Sequence, residues 1–372
     1  MKNALKILLL SDTNSEHTEK WALGLALSGV KVGLYSFNKA SYPWHQNIDN
    51  ITVLFEPDNK VETDSFIDKI SYLKYILPLK KVIKEFNPDI VHAHYATSYG
   101  LIGALSGFHP FVISAWGTDV MKFPQKNWVN KSILKFNLNK ANVICATSRT
   151  IKNYLTPITN KKIQVVPFGV DTTKFIKKDT ASLFTNSDFV VGSIKSLEDL
   201  YNIDVLIKAF HVLYTKYKHK SLKLLIIGVG SQEAYLKQLV DDLDISKNVV
   251  FTGRIPFSEV SNYFNMLDVL VNISDYESFG VSVIEAMACE KAVVATDTGG
   301  LKEIIENDSY GSLVKVDDIE QTAAEIEKYL LNEHLKLSVG KSARAKVIEK
   351  YNWTSNIKQM IDIYCGLVNN KK

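Results

Sequence analysis

The chain has 372 residues, 46% of them hydrophobic, with 44 Lys and Arg against 40 Asp and Glu. That length leaves room for two domains, each with its own core, and the composition excludes a disordered or collagen-like chain. The net charge of +4 hides an asymmetry: residues 1–170 carry 20 basic and 12 acidic side chains, net +8, and residues 171–372 carry 24 and 28, net −4.

Taken in order, short apolar runs alternate with helical stretches, the pattern of parallel α/β units. Leu5–Leu10, Val30–Ser36, Ile51–Phe55, Ile90–His92, Phe111–Ala115 and Asn142–Ala146 read as strands of a first sheet. Helices are expected between them at 18–28, 62–86, 98–106, 128–140 and 148–155. Pro78 should break or kink the second of these, because its ring removes a donor and clashes one turn back. Pro167–Ser187, with Pro, Gly and polar residues, reads as a linker. A second series of strands follows at Phe189–Ile194, Leu222–Ile227, Val249–Thr252, Val269–Ile273, Ala292–Ala295 and Gly311–Val314.

The expected architecture is therefore α/β, two doubly wound domains facing each other. Ligands of such sheets bind beyond the carboxyl ends of the strands, so chemistry is sought in the loops that follow them. Cys145, Cys289 and Cys365 form neither a CxxC pair nor a disulfide framework, which disfavours structural zinc and suggests a reducing compartment. Ile7–Leu10 is too short for a signal-peptide core, and no run approaches the ~18 apolar residues of a spanning helix. A cytoplasmic protein is expected. The basic half suggests an anionic partner, with solvated surface lysines as the plainer explanation. Lysine-rich helical stretches at 69–86 (Lys69, Lys74, Lys80, Lys81, Lys84) and 126–140 (Lys126, Lys131, Lys135, Lys140) could lie on the inner face of an anionic membrane, or be ordinary amphipathic helices.

The most informative segment runs from Tyr276 to Cys289. Glu277 follows a strand, Gly280 permits close backbone approach, and Ser282 is placed to start a helix with Glu285 in its first turn. Unpaired amides at such a helix start suit a phosphate, and the two flanking carboxylates could accept from sugar hydroxyls. Without further context, a loop Glu and a helix-dipole Glu explain the pair as well.

This stretch resembles the E-x(7)-E segment of the family-4 retaining glycosyltransferases, which have the GT-B fold. Lys291–Ile305, which includes Thr298-Gly299-Gly300, is similar to the family's continuation, with Ala292 where proline is usual. Pro88–His94 and Val166–Asp171 match its other landmarks in order. The resemblance implies an acceptor-binding domain at 1–168, joined by a final helix at 354–372, and a nucleotide-sugar domain at 169–353. It makes Glu285 the ligand of the nucleotide ribose and Glu277 a partner of the donor sugar, and it turns the Gly280-Val281-Ser282 backbone toward sugar and diphosphate.

Two departures from the family are visible. The usual Arg and Lys ahead of the second domain's first helix are replaced by a loop in which Lys195 is the sole cation, so Lys195 is assigned to the diphosphate. Arg254 could be the second cation, could lie near the base, or could be a solvated loop charge. Where relatives carry a His often treated as catalytic, this chain has Trp116, in Trp116-Gly117-Thr118-Asp119, which resembles a subset of the family with Trp-Gly-x-Asp at this place. Trp116 is then expected to shape the sugar pocket and Asp119 to make a polar contact there. His94 could face the cleft or be a core histidine donating to a carbonyl. His17 could contact acceptor or phosphate, or merely sit at a helix start.

Other apparent motifs fail. Gly228-Val229-Gly230 is followed by Glu233 in place of the third glycine of a dinucleotide fingerprint. Asp242-Leu243-Asp244 falls at a predicted helix end, where solvated acids are ordinary. The resemblance thus implies a metal-independent, hexosyltransferase-type enzyme moving a sugar from a nucleotide diphosphate, uridine favoured over guanosine, to a glycan or lipid-linked acceptor hydroxyl in cell-surface polysaccharide or glycolipid synthesis. No nucleic-acid partner is expected. A nucleotide-sugar epimerase of the same fold and a non-catalytic sugar-nucleotide-binding subunit are the alternatives.

Overall fold

The computed structural model describes residues 4–57 and 72–369. The chain folds into two compact units, Met1–Pro167 with Thr354–Lys372, and Phe168–Trp353. Positions 62–71 of the expected second helix, Lys69 among them, lie outside the described residues.

The first unit runs β1 (Lys6–Leu10), α1 (Glu16–Leu27), β2 (Lys31–Tyr35), β3 (Ile51–Phe55), α2 (Ile76–Phe86), β4 (Ile90–His94), α3 (Ser98–Ser106), β5 (Phe111–Ala115), α4 (Thr118–Met121), α5 (Trp128–Lys140), β6 (Val143–Ala146), α6 (Arg149–Leu155) and β7 (Ile163–Val165). All strand pairings are parallel, in the order β3-β2-β1-β4-β5-β6-β7. Helices cover both faces of such a sheet, which is why β1 is apolar without alternation and Ile7 to Leu10 are fully buried. β7 was not expected: three residues flanked by lysines and a proline make too short a run to register. Pro78 ends up in the first turn of α2, behind a 3₁₀ turn at Tyr72–Tyr75, where a missing N–H leaves no helix bond unmade.

The second unit runs β8 (Phe189–Ile194), α7 (Ile203–Lys216), β9 (Leu222–Ile227), α8 (Glu233–Asp242), β10 (Val249–Gly253), α9 (Val260–Met266), β11 (Val269–Asn272), α10 (Val281–Ala288), β12 (Ala292–Thr296), α11 (Gly299–Ile304), β13 (Ser312–Val314), α12 (Ile319–Leu331) and α13 (Glu333–Lys350). Its sheet is again parallel, in the order β10-β9-β8-β11-β12-β13. Phe210, Leu206 and Ile207 of α7 fill its core against Leu224, Ile226 and Val271.

Residues 168–187 are not a free linker. Val170 bridges Asn352, its amide donating to Tyr351 at 2.8 Å, and Arg344 donates to the carbonyls of Phe175 (3.1 Å) and Thr172 (3.4 Å). Phe175 is buried. Pro167 and Gly169 thus open an irregular segment stapled to the second unit rather than a flexible one. The last helix, α14 (Trp353–Asn369), belongs from Thr354 onward to the first unit. There Tyr364 shares a 2.6 Å hydrogen bond with His92 Nδ1 of β4, and Gln359 donates to the Val165 carbonyl at 3.0 Å.

Candidate active site

In each sheet the order of strands reverses beside the first strand, and the crevice beyond the carboxyl ends at that point is the natural ligand site. The reversal lies between β1 and β4 in the first unit and between β8 and β11 in the second.

In the second unit, Lys195 follows β8 and Glu277 follows β11, and their side chains form an ion pair across the reversal. Lys195 Nζ also lies 4.5 Å from the Tyr201 ring centroid, a cation–π contact. The cation expected to await a diphosphate is therefore already held by the carboxylate expected to meet the sugar. Both side chains are largely shielded from solvent, at 16% and 14% exposure, so the pair is stronger than a surface bridge.

Several contacts fix this loop. Asn202 donates to the Ile273 carbonyl at 3.1 Å and to Asp275 Oδ1 at 2.6 Å, and Thr296 Oγ1 donates to the Ser274 carbonyl at 2.6 Å. The Gly300 amide donates to the Glu277 carbonyl at 2.8 Å. At Gly299, with φ +51°, a Cβ would lie 2.0 Å from the Glu277 carbonyl oxygen, and at Gly300 it would lie 2.5 Å from the backbone of Phe279. Thr298-Gly299-Gly300 is thus the surface on which the Glu277 loop rests, a role that sequence reasoning missed.

Gly280, at φ +111°, caps α10, which begins at Val281. The Val283 and Ile284 amides turn back to the Gly280 carbonyl, so those of Val281 and Ser282 are the first-turn donors without an intrahelical partner. Ser282 is thus not the cap; its Oγ accepts from Asn272 Nδ2 at 3.3 Å, and Asn272 Oδ1 in turn accepts from Ser274 at 2.8 Å. Glu285 falls in the second turn rather than the first, and is 6% exposed. A helical side chain leans toward the N-terminus of its helix, the end that Gly280 opens. Arg254 is exposed just after β10. Gly228 after β9 is explained by backbone packing, since a Cβ there would lie 1.8 Å from the Lys195 carbonyl oxygen.

In the first unit, His94 ends β4 and its Nδ1 shares a 3.0 Å hydrogen bond with Ser11 Oγ just after β1; Ser11 also bonds Thr18 of α1 at 2.6 Å. The expected core alternative, a bond to a carbonyl, is replaced by this hydroxyl chain. Trp116 lies over His94 with ring centroids 4.7 Å apart, and His17 meets Trp116 edge-on at 5.6 Å. Burial holds both histidines neutral. His17 is lowered to about 4 by desolvation and then by Lys20, and His94 is lowered well below its ordinary range by desolvation and then by its histidine neighbours. His94 is only 2% exposed and is no cleft-facing base in this structure.

Asp119 lies in α4, just after β5. It is fully buried, accepting from the amides of Ala96 (2.7 Å), Gly117 (2.8 Å) and Trp116 (3.2 Å). Desolvation raises its pKa while these amides oppose the rise. It is a positioning residue that ties the loop after β5 to the one after β4. Among the described residues no group of three or more His, Cys, Asp or Glu is arranged to hold a metal. Asp242 accepts from Gln238 at 2.9 Å and Asp244 sits in the left-handed region at φ +54°, as expected of a helix end. A concavity lined by Glu198, Asp199, Asp204, Gln232 and Tyr235 is acidic and unsuited to a diphosphate.

Residues 6–148 match the glycosyl transferase 4-like family and residues 175–346 match glycosyl transferases group 1, most of the chain between them. Together the two matches support a group 1 glycosyltransferase. N-acetyl-alpha-D-glucosaminyl L-malate synthase of Bacillus anthracis is 26% identical over 306 residues, 79% of each chain. Two solved structures share the fold of this chain. Sucrose-phosphate synthase of Thermosynechococcus elongatus has a TM-score of 0.84 at 19% identity, covering 98% of this chain and all of that one. HepE of Anabaena, solved in complex with UDP and glucose, has a TM-score of 0.77 at 17% identity, again covering 98% and 100%.

Proposed function

We propose that this group 1 glycosyltransferase moves a hexose from a nucleotide diphosphate to an acceptor hydroxyl with retention of anomeric configuration, in the synthesis of a cell-surface polysaccharide or glycolipid. The observation that carries the reading is Glu277 placed against Lys195 across the strand-order reversal, beside the open N-terminus of α10. In this reading the first amides of α10 and the Lys195 ammonium receive the diphosphate, with Arg254 as a second cation. Such fixed donors stabilise charge as it develops on the leaving group. Glu285 holds the ribose. Glu277 stands against the sugar, where a carboxylate contact strengthens as oxocarbenium character grows.

No side-chain base is required. The departing phosphate oxygen takes the acceptor proton on the face it leaves, which fits a neutral, buried His94 and a Trp at position 116. The uridine nucleotide is favoured over guanosine, a choice supported by the UDP bound to HepE. Thermal-shift screening of sugar nucleotides would identify the donor, because a ligand at about 100 times its Kd stabilises by about 2.7 kcal/mol. NMR of the glycosylated product then reads its anomeric configuration: inversion overturns the mechanism. Nucleotide binding without release of nucleotide diphosphate would mark a binding subunit, and interconverted sugar nucleotides an epimerase.

A further inference from the structure

From Val120 to Val170 the sequence contains nine basic residues and no acidic one. α5 lies in this stretch, and its two sides differ sharply. Asn130, Leu134, Asn137 and Leu138 are buried, while Trp128, Lys131, Lys135, Phe136 and Lys140 are exposed, Trp128, Lys131 and Lys135 among them at the three- and four-residue spacing of one helical face. Trp128 is 78% exposed, an extreme value for the largest apolar side chain, and it stands at the helix start with Lys126 just before it.

α2 repeats the arrangement. Leu77 is 77% exposed, and Lys80, Lys81 and Lys84 are exposed beside it, while Leu79 and Val82 are buried. Glu85, which pairs with Lys81 at 3.9 Å, is the lone acid in this helix. α3 packs against both α2 and α5, so the two cationic faces flank it on one unit. Both helices run from the carboxyl ends of the strands before them toward the amino ends of β4 and β6. Their apolar tips, Leu77 and Trp128, therefore lie toward the edge of the sheet that carries His94 and Trp116.

We propose that this face docks on an anionic lipid bilayer, with Trp128 and Leu77 entering the headgroup boundary and the lysines of α5 and α2 meeting lipid phosphates. Charge complementarity selects a negative surface, and exposed indole and leucine side chains select an apolar boundary over a purely polar polyanion. Among the described residues no helix is long and apolar enough to cross a membrane. The inference deepens the proposed reaction by naming the surface from which a lipid-linked acceptor reaches the first unit, and it rests on that reading only for the acceptor.

Co-sedimentation of the full chain with phosphatidylcholine vesicles, with and without phosphatidylglycerol, tests it. Binding to the anionic vesicles alone is expected, weakening steeply with salt. Lys131→Ser and Lys135→Ser should each lower the partition coefficient about fivefold. Trp128→Ala and Leu77→Ser should lower it without changing its salt dependence. UDP affinity, measured by calorimetry without vesicles, should be unchanged in all four variants, which separates lost docking from lost fold. Equal binding to both vesicle types, no binding to either, binding indifferent to these substitutions, or capture by a single-stranded oligodeoxynucleotide in place of vesicles would each overturn the proposal. Vesicle binding without sugar transfer would leave the docking face standing and overturn the reaction.

Discussion

Lys195 and Glu277 are 82 residues apart in sequence and joined by an ion pair where the second sheet reverses its strand order. Ser11 and His94 occupy the matching place in the first sheet, 3.0 Å apart. The same topology produces both contacts: the first strand and the strand that begins the second half of the sheet are neighbours, so the loops leaving them meet.

The two glutamates should separate by kinetics. Glu277→Gln is expected to lower turnover at saturating donor and leave UDP affinity nearly unchanged, because in the proposed reaction its contact strengthens only as the sugar gains positive charge. Glu285→Gln should chiefly weaken UDP binding. A lost charge-assisted hydrogen bond is worth about 1.5–3 kcal/mol, or about tenfold to a hundredfold in the parameter it governs. Calorimetry and steady-state rates on both variants decide; the opposite split would reverse the assignments.

Backbone packing at Gly299 and Gly300 yields a second prediction. Gly299→Ala forces a Cβ toward the Glu277 carbonyl, and the loop must move to admit it, at a cost of about 3 kcal/mol. Gly107→Ala is the control: it shares a positive φ, but a Cβ there meets nothing within 4 Å, so only backbone strain of about 1 kcal/mol is expected. Denaturation midpoints should rank the two, and Gly299→Ala alone should impair UDP binding.

Stability should fall as pH drops below the ordinary histidine range. His17 and His92 are lowered to about 4 and about 3, chiefly by burial. Between pH 6.5 and 4 the unfolded chain therefore binds protons that the native protein refuses, so stability is full above about pH 6.5 and declines as the pH falls toward the native values. His17→Asn should reduce the slope of unfolding free energy against pH by up to about 1.4 kcal/mol per unit in that window. An unchanged slope would show that His17 binds its proton alike in the native and unfolded states.

Transfer should proceed without a divalent metal, since the proposed site offers the diphosphate helix amides and protein cations. Most activity should survive EDTA. Loss of turnover restored by magnesium or manganese would overturn this and direct attention back to Asp242 and Asp244.

Local chemistry determined much of this protein directly from its sequence. Parallel strands buried on both faces need uninterrupted apolar runs, so Ile51–Phe55, Phe111–Ala115, Phe189–Ile194 and Leu222–Ile227 were legible to the residue, and the order of segments around Glu277 and Glu285 carried the family. The short edge strand Ile163–Val165 was not legible, because its pairing comes from β6 and not from its own composition. Nor were the partners of charged and polar groups. Asp119 reads as a site residue until the fold brings the Ala96 amide to it, Lys195 reads as a free cation until β8 and β11 lie side by side, and Gly299-Gly300 acquires its meaning only from the backbone packed above it. Periodicity and turn chemistry act over a few residues and are written in the chain; which donor meets which acceptor across tens of residues depends on strand order, and only the tertiary structure decides it.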